Sequence, residues 1–480
     1  MTTSLVTTAI PYVNARPHVG FAYELVLADI LVRHRRRRGR PTRFSTGTDD
    51  HSLKNVLAAE AEGATPRTLV DRNAAAFVEL GPLLGVTTDD FLRTSHDPRH
   101  RPVVEQLWRA CAARDDVYRT TWRGRYCTGC ETFLDDRAER CEEHAAPPEL
   151  VDETNWFFRL SRYREPVRDA ILSGRIAIVP DAARAETLAF LAGEVRDLSI
   201  SRSATRARGW GLPVPDDATQ VIYVWFDALA SYLSSPGLEA WRASTDRVHV
   251  IGKGIARFHA VYWPAFLLSA GLPLPDRILV HGYLTQDGAK LSKSAGAGDV
   301  APIVARTGGD ALRWFFARRC RTSSDTDVSI AAILAAHDGD LADRLGNLVQ
   351  RCTALAAGRV PPRAEDPELA ALCAALPGRI ATALDAFLLD DAAAAIVELL
   401  DAANRTLELT APWRLRRTDP EAAARALYAP LQAARCAAEE LEPFVPATAR
   451  ALVARLGDLE PGAPLVAGPP PVPRLGSSRL

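Results

Sequence analysis

Around Asp310 the apolar residues change their period. Upstream, short apolar runs such as SLVTTAI and RVHVIG alternate with stretches at helical spacing. Downstream, segments such as DAAAAIVELLDAANRTLEL repeat every 3.6 residues with almost no strand signal. One sheet cannot absorb both patterns, so a mixed α/β part followed by an all-helical bundle is expected. At 480 residues the chain also exceeds what a single core serves. No apolar run reaches the ~20 residues that cross a bilayer, so no membrane association is expected. The N-terminus lacks a basic start followed by an apolar stretch, which places the chain in the cytoplasm.

Within the α/β part, Leu5 to Ile10 reads as a strand that runs into a Pro-Tyr turn, and Tyr23, Val26, Leu27, Ile30 and Leu31 then mark a helix. Thr42 to Ser45 reads as a second strand before the segment GTDDHS. From about Asp115 the pattern breaks into turn-rich pieces, the mark of an insertion. Val221 to Phe226 (VIYVWF) reads as a returning strand. Val248 to Ile251 and Arg277 to His281, with a helix from Phe258 to Ala270 between them, complete a second βαβ half.

Lys plus Arg total 58 against 59 for Asp plus Glu, a net charge of -1, so nucleic acid would be held only by local patches. One candidate is the run from Arg33 to Arg40 (RHRRRRGR), another Arg414, Arg416 and Arg417 after Trp413; such runs also serve as solvated faces. The eight cysteines do not form a disulfide framework. Cys127-x2-Cys130-x10-Cys141-x2-His144 offers three thiolates and an imidazole in two close pairs, the spacing of one structural Zn2+ with no open coordination position.

Two weak motifs carry the chemistry. His18-Val19-Gly20 stands at a strand-to-helix turn, where free amides favour an anionic phosphate, although a satisfied structural histidine fits as well. Lys290-Leu291-Ser292-Lys293-Ser294 lies on a Gly-flanked loop whose two ammonium groups suit a triphosphate under displacement, or simply form a mobile basic loop.

In this order on an α/β scaffold the two motifs resemble the signatures of class I aminoacyl-tRNA synthetases. The segments TTAIPYVNARPHVG, FSTGTDDH, YVWFDALASYL, IGKGIARFHAVYWPAF, HGYLTQDGAKLSKS, DLADRLGNLVQR and APW are similar to methionyl-tRNA synthetases from about residue 5 to 415. The resemblance implies a Rossmann-like parallel sheet with a zinc-bearing insertion, followed by an all-α anticodon-binding bundle. It divides the chain into a first catalytic half (1–114), a connective insertion (115–220), a second catalytic half (221–285), a KLSKS loop and stem-contact region (286–335), the anticodon-binding domain (336–457) and a Pro/Gly-rich tail without fixed fold (458–480).

It also implies that ATP with Mg2+ activates methionine to an adenylate, which then passes to the 3' end of tRNA(Met), on a chain expected to be a monomer. By similarity His18, Gly20, Lys290 and Lys293 serve catalysis, with Phe21, Lys253 and Gly254 beside the ATP. Ala9, Ile10, Tyr12, Trp225, Ala228, Leu229, Tyr232, Ile255, His259 and Trp263 would enclose the thioether, and Asp49 would hold the amine. Core packing is the alternative for the aromatic members. Asn347, Arg351 and Trp413 would read the anticodon.

Five positions depart from the family. Phe21 replaces a second histidine, Gly254 an aspartate, Ser52 a glycine, Asp343 an asparagine, and Ala295-Gly296-Ala297 stands where another asparagine is usual. Losing one charge-assisted contact to a transition state typically costs ~2 to 4 kcal/mol, or ~10² to 10³ in rate, so weakened adenylation is expected. An alternative reading is therefore a paralogue that joins an activated amino acid to a small amine or hydroxylamine, or a tRNA or methionine binder that no longer adenylates.

Overall fold

A strand buried on both faces reads as a near-continuous apolar run, and such runs build the centre of a parallel sheet. The computed structural model describes residues 3–127, 132–134, 138–141, 147–286, 289–290, 298–466 and 468–476. In it β1 (Ser4–Thr8), β2 (Thr42–Thr48), β3 (Asp90–Arg93), β4 (Ala177–Val179), β5 (Arg247–Gly252) and β6 (Arg277–His281) form one sheet in the order β3-β2-β1-β5-β6-β4. β1 runs parallel to both β2 and β5, with Val6 opposite Phe44 on one side and Val248 on the other. The pairs β2–β3 and β4–β6 are parallel too. The strand order reverses between β1 and β5, the switch point at which open α/β sheets place their ligands.

The chain divides into two compact units. The first comprises Met1–Pro17, Pro41–Glu79 and Thr88–Val280. Its core gathers Leu5, Val104, Trp108, Phe158, Phe226, Trp263 and Phe266. Beside the parallel sheet it holds an antiparallel ladder of Val117–Cys127 with Glu149–Phe158, flanked by Thr132–Phe133 and Leu198–Ser199.

Two strand expectations change here. The strand foreseen at Val221 to Phe226 ends at Ile222 and belongs to a three-stranded antiparallel sheet; Val224–Leu229 is a helix. A short apolar run fits either state, and Asp227 decides for the helix by turning its carboxylate onto two histidines. In addition, β4 joins the edge of the parallel sheet from a stretch that reads as insertion, because three residues (AIV) are too few to show a period.

The second unit comprises His18–Arg40, Leu80–Thr87 and His281–Leu480, with α1 (Val19–Arg37) and the helices of the C-terminal bundle. The Arg33 to Arg40 run carries a ladder of ion pairs. Arg33 meets Asp29 at 2.7 Å and Glu442 at 2.8 Å, Arg38 meets Glu440 at 2.8 Å, and Arg40 meets Asp385 at 3.3 Å. The fully buried guanidinium of Arg313 takes Asp29 at 2.8 Å and the carbonyls of Pro443 and Phe444 at 2.6 and 2.8 Å. Each charge in this interior thus has its partner, as burial demands.

The tail also differs from expectation. Leu465 and Val472 are buried, and the amides of Leu475 and Gly476 donate to the Asp338 carboxylate at 2.8 and 3.0 Å. Among the described residues no helix is long and apolar enough to cross a membrane.

Candidate active site

In the first unit the end of β1 meets the end of β2. Tyr12 forms a parallel bridge with Asp49, and Ile10 lies against Gly47, where a Cβ would come within 2.0 Å of the Leu92 carbonyl. Glycine is therefore required in GTDDH for the strands to close. Two adjacent carboxylates follow, and their surroundings separate their roles. Asp50 is saturated: Thr48, Ser95 and the Arg93 guanidinium all donate to it, at 2.7 to 3.2 Å. Asp49, equally buried, accepts the His51 amide at 3.2 Å. Asn55 clamps both backbone carbonyls, at 3.0 and 2.9 Å.

Asp227 fixes the next residue. It accepts from His51 Nδ1 at 2.6 Å and His100 Nε2 at 2.7 Å, and His100 Nδ1 lies 2.9 Å from Ser234 Oγ. Burial alone would raise the Asp227 pKa; the two imidazoles outweigh it and hold the carboxyl well below the usual range.

An aromatic wall continues from Tyr12. Its ring meets Trp225 edge-on at 6.5 Å, Trp225 stacks on Phe258 at 3.8 Å and meets His259 at 6.2 Å, and Tyr232 touches both His259 and Trp263. Ala9, Ala228, Leu229, Tyr232, His259 and Trp263 are buried, while Ile255 and Trp225 are half-buried against them. His259 Nδ1 faces the Ile255 carbonyl at 2.9 Å and so carries the proton, leaving Nε2 to accept from the Tyr232 hydroxyl at 2.7 Å. Burial lowers the His259 pKa to about 4 and holds that of His249 well below its ordinary value, so this wall is uncharged. A neutral, polarizable lining suits a thioether.

In the second unit His18 is the N-cap of α1. Its Nδ1 accepts the amides of Gly20 at 3.0 Å and Phe21 at 3.3 Å, which leaves Nε2 as the donor of the neutral ring. A Cβ on Gly20 would stand 2.9 Å from the imidazole, so the fold of that ring excludes any side chain there. Phe21 is buried. His18 pairs in an antiparallel bridge with Asp299, and the Val19 amide donates to the Gly298 carbonyl at 2.8 Å. The first signature is thereby joined to the segment that follows the second. Lys290 pairs through its backbone with Thr285; Lys293 and Ala295 to Ala297 lie outside the described residues.

The family model described as tRNA synthetases class I (M) matches residues 4–146 and 138–353, and that of the anticodon binding domain of methionyl tRNA ligase matches residues 360–464. The chain belongs to the methionyl-tRNA synthetase family. It is 38% identical over 471 residues to the methionine--tRNA ligase of Brucella suis, covering 93% of this chain and 90% of that one. The human mitochondrial methionine--tRNA ligase is 36% identical over 497 residues, covering 94% and 83%. The Mycobacterium tuberculosis methionyl-tRNA synthetase solved with methionyl-adenylate superposes with a TM-score of 0.91 at 35% identity, over 99% of this chain and 100% of that one.

The departures from this synthetase family now acquire physical readings. Ser52 is the N-cap of α2 (Leu53–Ala61), its Oγ accepting the Lys54 amide at 3.1 Å, so the usual glycine is exchanged for a helix cap. Asp343 is half-exposed and meets Arg474 of the tail at 3.3 Å, which offsets its charge. Lys253 and Gly254 lie exposed on the turn that follows β5.

The three anticodon candidates come together. Asn347 and Arg351 stand one turn apart on α3 (Asn347–Leu355), and the Arg351 guanidinium lies 4.9 Å over the ring of Trp413, which is 36% exposed. Glu408 pairs with Arg351 at 2.7 Å. Ala411, left-handed at φ 41, turns the chain sharply so that Pro412 can start the next helix and Trp413 can face outward. Of the zinc set, Cys127 and Cys141 are both buried, at 3% exposure; Cys130 and His144 lie outside the described residues. Among the described residues no group of three or more His, Cys, Asp or Glu side chains is arranged to hold a metal ion.

Proposed function

We propose that this chain is a methionine tRNA ligase. It joins the methionine carboxylate to the α-phosphate of ATP with loss of pyrophosphate, then passes the methionyl group to the terminal ribose of tRNA(Met) with release of AMP. The observation that carries this is the uncharged aromatic wall beginning at Tyr12, whose backbone bridges that of Asp49. A buried amine needs one carboxylate, and Asp50 is already filled by Arg93, Ser95 and Thr48. By the family resemblance Asp49 takes the substrate ammonium, and Tyr12, Trp225, Tyr232, His259 and Trp263 take the thioether.

His18 donates from Nε2 to the phosphates, and Lys290 and Lys293 neutralise the charge that develops as pyrophosphate leaves. Mg2+ arriving with ATP would share that charge. No side chain acts as nucleophile; positioning and electrostatics lower the barrier. Asn347, Arg351 and Trp413 receive the unpaired anticodon bases by hydrogen bonding and stacking. Cys127, Cys130, Cys141 and His144 would hold one structural Zn2+, for which two buried thiols are suitable donors; the ion would add folding energy to the insertion. The chain works as a monomer in the cytoplasm.

The joined anticodon face favours this reading over ligation to a small amine, which would need no such face. The deciding experiment is ATP–pyrophosphate exchange across the amino acids. Methionine alone is expected to drive it; exchange driven best by another amino acid, or by none, would sink the assignment.

A further inference from the structure

Seven cysteines lie among the described residues, and none of them is in a disulfide. Cys127 and Cys141 belong to the set assigned above to zinc. Cys111, Cys320 and Cys352 are buried; burial pushes the thiols of Cys111 and Cys352 up to about 12 and raises that of Cys320 as well, so all three are inert. Cys373 and Cys436 are different. Both are half-buried, and they stand on two packed helices of the bundle, α4 (Pro367–Asp385) and α5 (Tyr428–Glu440).

A proline brings them together. In a regular helix the carbonyl of residue 373 receives the amide of residue 377, but Pro377 has no N–H to give. That carbonyl takes its donor from the neighbouring helix: Cys436 Sγ lies 3.6 Å from it. Ala433 and Ala437, buried beside Cys436, leave room for the approach. The same thiol reaches the Cys373 sulfur, and the hydrogen bond between the two lowers the Cys373 pKa and raises that of Cys436. Thiolate, the nucleophilic form, is therefore favoured on a side chain that solvent can reach.

We propose that Cys373 and Cys436 form a peroxide-sensitive pair that closes reversibly into a disulfide and staples α4 to α5. The Cys373 thiolate attacks one oxygen of hydrogen peroxide. The O–O bond breaks, the departing hydroxide takes a proton to become water, and Cys373 is left as a sulfenic acid. The Cys436 sulfur then attacks the Cys373 sulfur, the S–O bond breaks, and a second water leaves with the Cys436 proton. The two thiols lose two electrons and two protons, and the peroxide becomes two waters. Closure requires each side chain to turn until the sulfurs stand ~2.05 Å apart. Glu408 and Trp413 lie between the two cysteines in the chain, so the staple encloses the segment that carries the stacking aromatic.

The full chain is treated with a small excess of hydrogen peroxide, its remaining thiols are alkylated before denaturation, and its unreduced digest is mapped by mass spectrometry. A peptide pair joined at Cys373 and Cys436 is expected, two hydrogens lighter than its separate parts, and dithiothreitol should part it. In Cys436→Ser the hydroxyl can still fill the carbonyl that Pro377 frees, but no disulfide can close. Sulfenic acid should then accumulate on Cys373, and dimedone should trap it ~10-fold more than at Cys111, Cys320 or Cys352. Absence of the joined pair from wild type would overturn the proposal and leave Cys436 as a donor to that carbonyl alone. Joining no more frequent than among the three buried thiols would overturn it equally, and the wild-type map decides even if the variant fails to fold. The outcome does not depend on which amino acid the chain activates.

Discussion

The nucleotide signature and the anticodon face both depart from the family, yet the departures are received differently. At the anticodon face the acid introduced at Asp343 meets Arg474, so a distant segment supplies the missing balance. At the nucleotide signature Phe21 is buried, and an apolar ring offers no donor to a phosphate whatever surrounds it. A substitution's cost is set less by the residue lost than by what else reaches the position. Charge can be supplied from elsewhere in the chain, whereas a donor aimed at one transferring atom cannot.

The sharpest way to break this contrast is Lys293→Ala. Pyrophosphate exchange should fall ~10² to 10³-fold while tRNA binding holds within about twofold. Equal losses in both assays would show that the two regions do not act separately.

Acid offers a second separation. His259 is held neutral by burial, with a pKa of about 4 against an ordinary 6.5. The unfolded chain therefore binds the proton first, and the stability that this site contributes is present above pH 6.5 and lost as pH falls toward 4. Denaturant titrations at pH 7 and pH 5 should differ by about 2 kcal/mol from His259 alone, a loss that His259→Gln should largely remove. A pH-independent midpoint would mean that the pocket wall is wetter than its contacts imply.

Next comes Phe21→His combined with Gly254→Asp. If the missing donors matter, exchange should rise about 5- to 150-fold, from roughly 1 to 3 kcal/mol of restored contact. If both positions serve one nucleotide, the single effects need not add. A slower double variant would mean that the ATP side has been rebuilt around the phenylalanine. The smallest effect is expected from Arg474→Ala, which uncovers Asp343. An exposed pair contributes about 0.2 to 1 kcal/mol, so the tRNA KM should rise about 1.4- to fivefold, with Asp343→Asn reversing it and exchange unmoved throughout.

Much of this organisation is legible in the residues. The order of strand-like runs predicts the parallel sheet, and GTDDH falls at the end of one of its strands, β2. Residues that act through spacing along the chain were readable; residues that act through meeting were not. Val224–Leu229 looked like strand because its apolar run is too short to display a period. The ion pairs of the arginine run were hidden because its partners Glu440, Glu442 and Asp385 lie far along the chain. The tail looked unstructured because two apolar anchors, Leu465 and Val472, are easily lost among prolines.

The docked tail has a practical side. Leu475 and Gly476 give their amides to Asp338, and Asp338 also accepts from His337 at 2.9 Å, just before the segment that carries Asp343 and Asn347. Trimming the chain at the first prolines, as one would to remove an apparent linker, would strip a buried carboxylate of two donors and Asp343 of its arginine in one cut. A purification handle is better placed at the other terminus, and a shortened protein should not be used to judge how tightly this molecule holds its tRNA.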